Sequence, residues 1–564
     1  MRPSAFLVFL SICFSPFSSF CEEIPYDRSS KKQQILYLAQ TQDCKEAIRL
    51  YNLYKEQLGR HDFEILQQMA TSWIEQSARS PIPEKQILGI FGLGIAGLTA
   101  SSDILELAIL SSNDQVQSAG LQFLGRMQED FVENLLNKAM SSPFLYARLE
   151  AAFYLAQRKS KTATGQIESL MYRLPPPMRY FFPEFFAIIG TPESVSILRH
   201  LMDDSFHATK IEAILSAAKY GRDDLLPPIR AAATHLDNAE QEASAAALGY
   251  LKDMRSIKKL QKLSSHSSSS VQLAAQRSLY LLGDLQAPQK IAEEAKKENI
   301  FAIGLLGTIP GQEETLADLL KIPNKQIQFN TAFALLEQKD VRSLPAIFPF
   351  LIRDSKDFGF QPIRSLGGSM QAWKVISSMQ QHVKDSFFDI QALTISVKEH
   401  IIRKAALLPQ PVFLELAEAL FYAKQNALVP VIVSLLENLQ SKEAILFLQT
   451  QSLKAGAPLI RAYCNLALFK MKQEGPYQES VVSFLRQNSS QELIKFRSAV
   501  PWSMRFIDSY HLTPEESSSL TIGAYESILK KQENLGIDLL LEAICSGHPD
   551  NRPVLAGILI HALQ

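Results

Sequence analysis

Three stretches of this chain hold residue types whose spacing could do chemistry. Gly92, Gly94 and Gly97 satisfy G-x-G-x-x-G, the pattern that lets a strand-to-helix turn approach a dinucleotide pyrophosphate, and Asp114 stands 20 residues beyond Gly94, near where a ribose-binding acid belongs. Arg255, Lys258, Lys259 and Lys262 recur at i, i+3, i+4 and i+7, which on a helix makes one positive stripe opposite Ile257 and Leu260. The irregular stretch Arg353 to Ser378 supplies Phe358, Phe360, Arg364 and Trp373, side chains of the kind that anchor interfaces. Other chemistry is missing from the pattern. There is no HExxH, P-loop, nucleophile elbow or Cys/His cluster, and His200 and His207 are separated by a Met-Asp-Asp-Ser turn that argues against a metal pair. Acidic pairs such as Asp203-Asp204, Asp223-Asp224 and Glu313-Glu314 suit helix starts, where negative charge meets the positive end of the dipole. No catalytic, cofactor-binding or metal-ligating residue is therefore assigned, and Arg255, Lys258, Lys259, Lys262, Phe358, Phe360, Arg364 and Trp373 are the candidate partner-binding residues.

The elements that must position these residues show themselves as a repeat. Small residues inside apolar stretches align "NDQVQSAGLQFLGRM" from Asn113 with "SPFLYARLEAAFYLAQR" from Ser142, "FHATKIEAILSAAKYG" from Phe206 and "AEQEASAAALGYLKDM" from Ala239. "SSSVQLAAQRSLYLLGD" from Ser268 and "NKQIQFNTAFALLEQKD" from Asn324 continue the series. The anchors Ala119, Ala151, Ala213, Ala245, Ala275 and Ala332 fall 32, 62, 32, 30 and 57 residues apart, one or two periods of about 30 residues. Each copy reads as a polar cap, an Ala-rich amphipathic helix, a turn and a second amphipathic helix such as Asp103 to Leu110 or Ser256 to Leu263. Asp103 with Glu106, and Asp130 with Glu133, have capping-box spacing at the start of two second helices. A unit of this size cannot bury its apolar face alone, so the copies must stack.

On these segments, with their small polar turns, paired alanines and Leu-Gly exits at Leu124-Gly125 and Leu282-Gly283, the chain resembles the HEAT-repeat superfamily. The likeness is to the short HEAT-like repeats first associated with phycobilin lyases. The resemblance implies an all-α fold, an α-solenoid of stacked antiparallel helix pairs. It also implies that second helices line the concave surface, which would aim the basic stripe at a partner. It is clearest over 83–352, and "GAPLIRAYCNLALFKMKQEG" from Gly456 and "HPDNRPVLAGILIHAL" from His548 look like degenerate copies.

In that frame the glycine run occupies a first-helix slot. Pro81, Pro83 and Glu84 suit a helix start, and no βαβ alternation follows, so the glycines read as close-packing residues rather than a cofactor loop. The run is also too short to span a bilayer. The expected organisation is a signal peptide over 1–21, an N-terminal helical cap or pair of tetratricopeptide-like hairpins over 22–82, the repeat array over 83–352, an irregular insertion or altered repeat over 353–405, and degenerate repeats over 406–564. The cap is expected because an open solenoid exposes apolar surface at its ends. "LPPPMRYFFPEFFAIIGTP" from Leu174 reads as a rigid opening turn followed by a Phe-filled core.

Arg2, the apolar run Ala5 to Cys13 and the small residues Ser19 and Cys21 form an export signal, with cleavage after Cys21 favoured over lipid anchoring because bulky Phe20 precedes it. Cys44, Cys464 and Cys545 remain, scattered and helical in context, as small buried residues. The 57 Lys and Arg balance 58 Asp and Glu, for a net charge of -1, so no global field favours nucleic acid; HEAT-like glycosylases that bind DNA are basic throughout. The sequence thus describes an exported, non-catalytic α-solenoid scaffold, in a periplasm or cell envelope, that binds one or more proteins through its concave face and uses no cofactor. The alternative is an enzyme or cofactor handler of the phycobilin-lyase-like class.

Overall fold

The computed structural model describes residues 28–41, 43–97, 102–352, 390–494 and 514–564, and every regular element among them is a helix. Three helices come first, α1 (Arg28–Gln40), α2 (Cys44–Leu58) and α3 (Phe63–Ala78). Helix pairs follow: α4 (Pro83–Ala96) with α5 (Ser102–Ile109), α6 (Asp114–Leu124) with α7 (Phe131–Ala139), α8 (Leu145–Gln157) with α9 (Thr164–Arg173), and α10 (Phe182–Ile189) with α11 (Pro192–Leu201). Next are α12 (His207–Lys219) with α13 (Leu226–Ala232), α14 (Asn238–Tyr250) with α15 (Ile257–Leu263), and α16 (Ser269–Leu281) with α17 (Ala287–Lys296). The pairs α18 (Ile300–Gly307) with α19 (Glu313–Leu319) and α20 (Lys325–Glu337) with α21 (Leu344–Ile352) complete this arm. The remaining helices are α22 (Ile390–Ala405), α23 (Gln410–Tyr422), α24 (Val429–Leu439), α25 (Lys442–Lys454), α26 (Pro458–Lys470), α27 (Tyr477–Asn488), α28 (Pro514–Lys531), α29 (Glu533–Ser546) and α30 (Arg552–Leu563).

Local chemistry explains the boundaries. Asn113, Asp237, Asn299 and Asn324 accept hydrogen bonds from free first-turn amides of α6, α14, α18 and α20, as good N-caps do. The first helices α8, α10, α12, α14, α16 and α20 end on a left-handed residue, which is Gly at Gly190, Gly221 and Gly283 but Lys at Lys159, Lys252 and Lys339, with φ between 53° and 62° for the lysines. The anchors Ala151, Ala213, Ala245, Ala275 and Ala332 are fully buried, which lets adjacent first helices come close. Near the first anchor Gly120 lets α6 approach the second helix α5, since a Cβ there would lie 3.0 Å from Ala108 Cβ. The Pro/Phe stretch forms a 3-10 turn over Pro176–Phe181 that leads into α10, where Phe182 and Phe186 are wholly buried, each contributing about 2 kcal/mol or more of transfer free energy.

The capping boxes do not form as the spacing predicts. Asp130 makes no side-chain cap hydrogen bond, and Glu133 reaches the next repeat instead, accepting from the Ser160 and Thr162 hydroxyls. Asp103 lies inside the first turn of α5 and pairs with Arg79, while Glu106 pairs with Lys138. Carboxylates at second-helix starts are thus used between repeats.

First helices stack directly on one another from α4 through α6, α8, α10, α12, α14 and α16, α17 bridges to α18, and the stack resumes through α20, α22, α24, α26, α28 and α30. Then α30 packs on both α3 and α4, and the circuit closes. The apolar core closes with it, because one cluster combines residues 35–104 with residues 462–560. Polar contacts seal the seam. Lys55 Nζ lies 2.5 Å from Asp538 Oδ1, Cys44 Sγ donates to the Ile544 carbonyl, and the Gln564 amide donates to the Ala96 carbonyl at 3.1 Å. Apolar faces that would otherwise end the solenoid are covered by the opposite terminus of the same chain.

Candidate functional site

The glycine run is a helix, α4, in which Gly89 and Gly92 mark backbone contacts and Gly94 faces the Phe123 ring. A Cβ on Gly89 would lie 2.3 Å from Ala78 N, and one on Gly92 would lie 2.3 Å from Pro553 O. Gly97 ends the helix in the left-handed region, at φ 62°. No strand precedes α4 among the described residues, so the arrangement that a pyrophosphate needs is not built here.

The basic stripe is only partly assembled. Arg255 falls in the 3-10 turn Met254–Ser256 ahead of α15, and Lys259 turns inward to donate to the Arg230 carbonyl. Arg255, Lys258 and Lys262 are exposed. Phe358, Phe360, Arg364 and Trp373 lie outside the described residues, as do residues 1–21 of the expected signal.

A different set of residues is brought together on the first-helix layer. Tyr220, Tyr250 and Tyr280 end α12, α14 and α16, each 30 residues from the next. Tyr220 is 37% exposed and Tyr250 49%, and Tyr280 is half-buried. Two of them carry cations. Lys219 Nζ lies 5.3 Å from the Tyr220 ring centre and Arg277 Cζ 5.3 Å from that of Tyr280, within cation–π range. Glu184 Oε1 accepts from Lys219 at 2.6 Å and from the Tyr220 hydroxyl at 2.7 Å; burial works against its ionisation, but these two donors hold its pKa below the usual carboxylate value. On the facing turn of α12, burial pushes Glu212 up to about 7, against one hydrogen bond from Ser216. Arg277 is different again. Burial lowers its pKa, the charged or polar groups acting on it are Tyr250 and Tyr280, and its Nη1 is buried without a hydrogen-bond partner among the described residues. Tyr280 offers it an aromatic face. The signal for this set was the repeat period itself, applied to tyrosine rather than to alanine.

Concave space exists at the seam, between α2 and α29, lined by Asn52, Lys55, Asp538, Glu542 and Cys545. Its Lys55 and Asp538 neutralise one another. Cys44 beside it is a thiol that burial pushes up to about 11, and Cys464 is pushed up to about 12 by burial, so neither is a ready thiolate nucleophile.

No known family matches the sequence, and no curated protein does. Among solved structures, the chain is similar to the complex of CpcE and CpcF of phycocyanin lyase from Nostoc, at 17% identity over 39% of this chain and 94% of that one, with a TM-score of 0.28. It is similar to the karyopherin Kap121p at 13% identity over 94% of this chain, with a TM-score of 0.37, and spans 58% of that protein's length. Kap95p with RanGDP matches at 12% identity over 91% of this chain and 80% of that one, with a TM-score of 0.33. Paired helices, one layer Ala-rich and self-stacking and the other packed behind it, make the fold of this chain a HEAT-like α-solenoid.

Proposed function

We propose that this protein is an exported, non-catalytic scaffold that holds one or more partner proteins against the exposed side of its first-helix layer. The observation that carries the reading is the tyrosine series Tyr220, Tyr250 and Tyr280, a row of half-exposed aromatic side chains with adjacent cations at the period of the fold. Tyr and Arg are the residues on which interfaces concentrate binding energy, and a periodic row on successive helices fits an extended chain better than a small molecule.

Curvature supports the choice of layer. In a two-layer stack that closes on itself, the layer with the shorter spacing is the inner one, and here first helices pack on one another from α4 through α16, whereas second helices do so more weakly, at α5–α7 and α9–α11. This supports a concave face made of first helices, opposite to the assignment that the resemblance implies, and leaves Arg255, Lys258 and Lys262 on the outer layer. Export rests on the character of residues 1–21.

The test is affinity capture of the mature chain from its native envelope, with two variants of unchanged helicity: Tyr220→Ala/Tyr250→Ala/Tyr280→Ala, and Arg255→Glu/Lys258→Glu/Lys262→Glu. A protein retained by the parent and the basic-stripe variant, but lost from the tyrosine variant, is the expected result. Loss from the basic-stripe variant alone would move binding to the outer layer. A small-molecule ligand copurifying without any protein would replace the scaffold with a cofactor handler.

A further inference from the structure

Away from the tyrosine row, four metal-ligating side chains from two successive repeats converge. His207 is the first residue of α12, and His235, Asp237 and Glu240 belong to the turn before α14 and its first turn. His207 Nε2 lies 3.1 Å from Asp237 Oδ1, and His207 Nδ1 lies 3.4 Å from Glu240 Oε1. One ligand atom from each of these three residues can be chosen so that all lie within 4.8 Å of one another. On the other side of Glu240, His235 Nδ1 lies 2.5 Å from Oε2. Lys210 Nζ also approaches, 3.4 Å from Glu240 Oε1.

We propose that His207, Asp237 and Glu240, supported by His235, form a site for a divalent transition-metal ion, zinc by donor type, that staples the α12 repeat to the α14 repeat. Donors about 2.0–2.2 Å from a tetrahedral ion stand roughly 3.3–3.6 Å from each other; the ligand atoms here lie within 4.8 Å of one another, and because His207 faces Asp237 with Nε2 and Glu240 with Nδ1, its ring must turn to give one nitrogen to an ion shared with both carboxylates. Imidazole with carboxylate suits zinc or nickel, whereas calcium and magnesium take oxygen ligands. Two of the ligands are already held. Asp237 Oδ1 accepts from the amides of Ala239 and Glu240 at 2.8 and 2.9 Å, which fixes the carboxylate as the N-cap of α14. Glu240 is 5% exposed, and His235 orients its second oxygen in the way that outer-shell partners orient a ligating carboxylate. His200, the other histidine of the pair seven residues apart, is not in the group. Lys210 carries an opposing charge 3.4 Å from Glu240 Oε1, so an ion bound at that oxygen must displace the ammonium.

The experiment is calorimetric titration of the untagged, chelator-stripped full chain with zinc chloride at pH 7.5, with magnesium chloride as the contrast. A second cluster, Glu492, His548 and Asp550, is removed from the comparison by carrying His548→Ala in every sample. The expected result is one saturable zinc site and no magnesium site. Zinc affinity falls at least tenfold in His207→Ala and in Asp237→Asn, the latter keeping an N-cap side chain, and rises severalfold in Lys210→Met. Unchanged melting temperatures in the presence of chelator confirm that the variants fold. No saturable zinc binding, or an affinity indifferent to His207→Ala, Asp237→Asn or Lys210→Met, overturns the proposal.

Discussion

Gly92 of α4 and Gly557 of α30 meet backbone to backbone across the seam that joins the two ends of the chain: a Cβ on Gly557 would lie 2.4 Å from Gly92 O, and one on Gly92 would lie 2.3 Å from Pro553 O. Both obstacles are main-chain atoms, which cannot swing aside. Gly557→Ala is therefore expected to cost about 2 kcal/mol in urea unfolding, the scale of overpacking a tight contact, and Gly92→Leu more. Gly304 inside α18 has nothing within 4 Å of its would-be Cβ, so Gly304→Ala should instead gain up to about 1 kcal/mol from helix propensity. If Gly557→Ala and Gly304→Ala shifted stability in the same direction, the close contact would not be what the seam depends on.

Lys252 ends α14 at φ 53°, in the place where α12 and α16 use Gly221 and Gly283. Only glycine enters the left-handed region without a Cβ clash, so the repeat carries its own internal comparison. Lys252→Gly should raise stability by a few tenths to about 1 kcal/mol; a loss on thermal melting would mean that the Lys252 side chain makes a contact worth more than the backbone relief.

How much of this was legible differs from feature to feature. The repeat was, because Ala151, Ala213 and Ala245 are fully buried at positions set by one period, and a period is a local pattern. The need for close approach at Gly92 was also legible, since glycine inside an apolar helix has few other uses. Its partner was not: Pro553 and Gly557 lie at the far end of the chain, and no local spacing encodes a contact between termini. The shape of the basic stripe was only partly legible, because helical spacing was carried through Arg255, which sits in a 3-10 turn, and because Lys259 donates to the Arg230 carbonyl. The grouping of His207 with Asp237 and Glu240 joins residues of successive repeats, and only stacking brings them within reach.

His61 gives the seam a pH dependence. The ring is buried at the α2–α3 turn, its Nδ1 lies 3.0 Å from the Tyr51 hydroxyl and its Nε2 3.4 Å from Asp538 Oδ1 on α29. Burial first, and the Lys55 ammonium second, lower its pKa from 6.5, with Asp538 opposing. The unfolded chain therefore takes up this proton before the folded one does. Stability from this group is complete above about pH 6.5 and declines as the pH falls toward the depressed folded pKa. The expected observation is that parent stability drops more steeply between pH 7.5 and 5 than that of His61→Gln; parallel curves would remove His61 as the cause.

Glu212 acts in the opposite sense. Burial raises its pKa from 4.5 to about 7, the nearby Glu184 carboxylate adds to the rise, and Ser216 and Lys219 oppose it. Between those two values the folded state holds a proton that the unfolded state has released, so stability falls as the pH climbs from about 4.5 to 7 and stays level above. A shift of this size corresponds to roughly 2 kcal/mol once the partial exposure of the side chain is allowed for. Glu212→Gln keeps an acceptor for the Ser216 hydroxyl, which donates to Glu212 Oε1 at 3.1 Å, and removes the ionisation. The variant should match the parent at pH 4.5 and exceed it at pH 8. If it exceeded the parent equally at both, the gain would come from packing, and the carboxylate of Glu212 would not be the group that charges at a cost on the first-helix face.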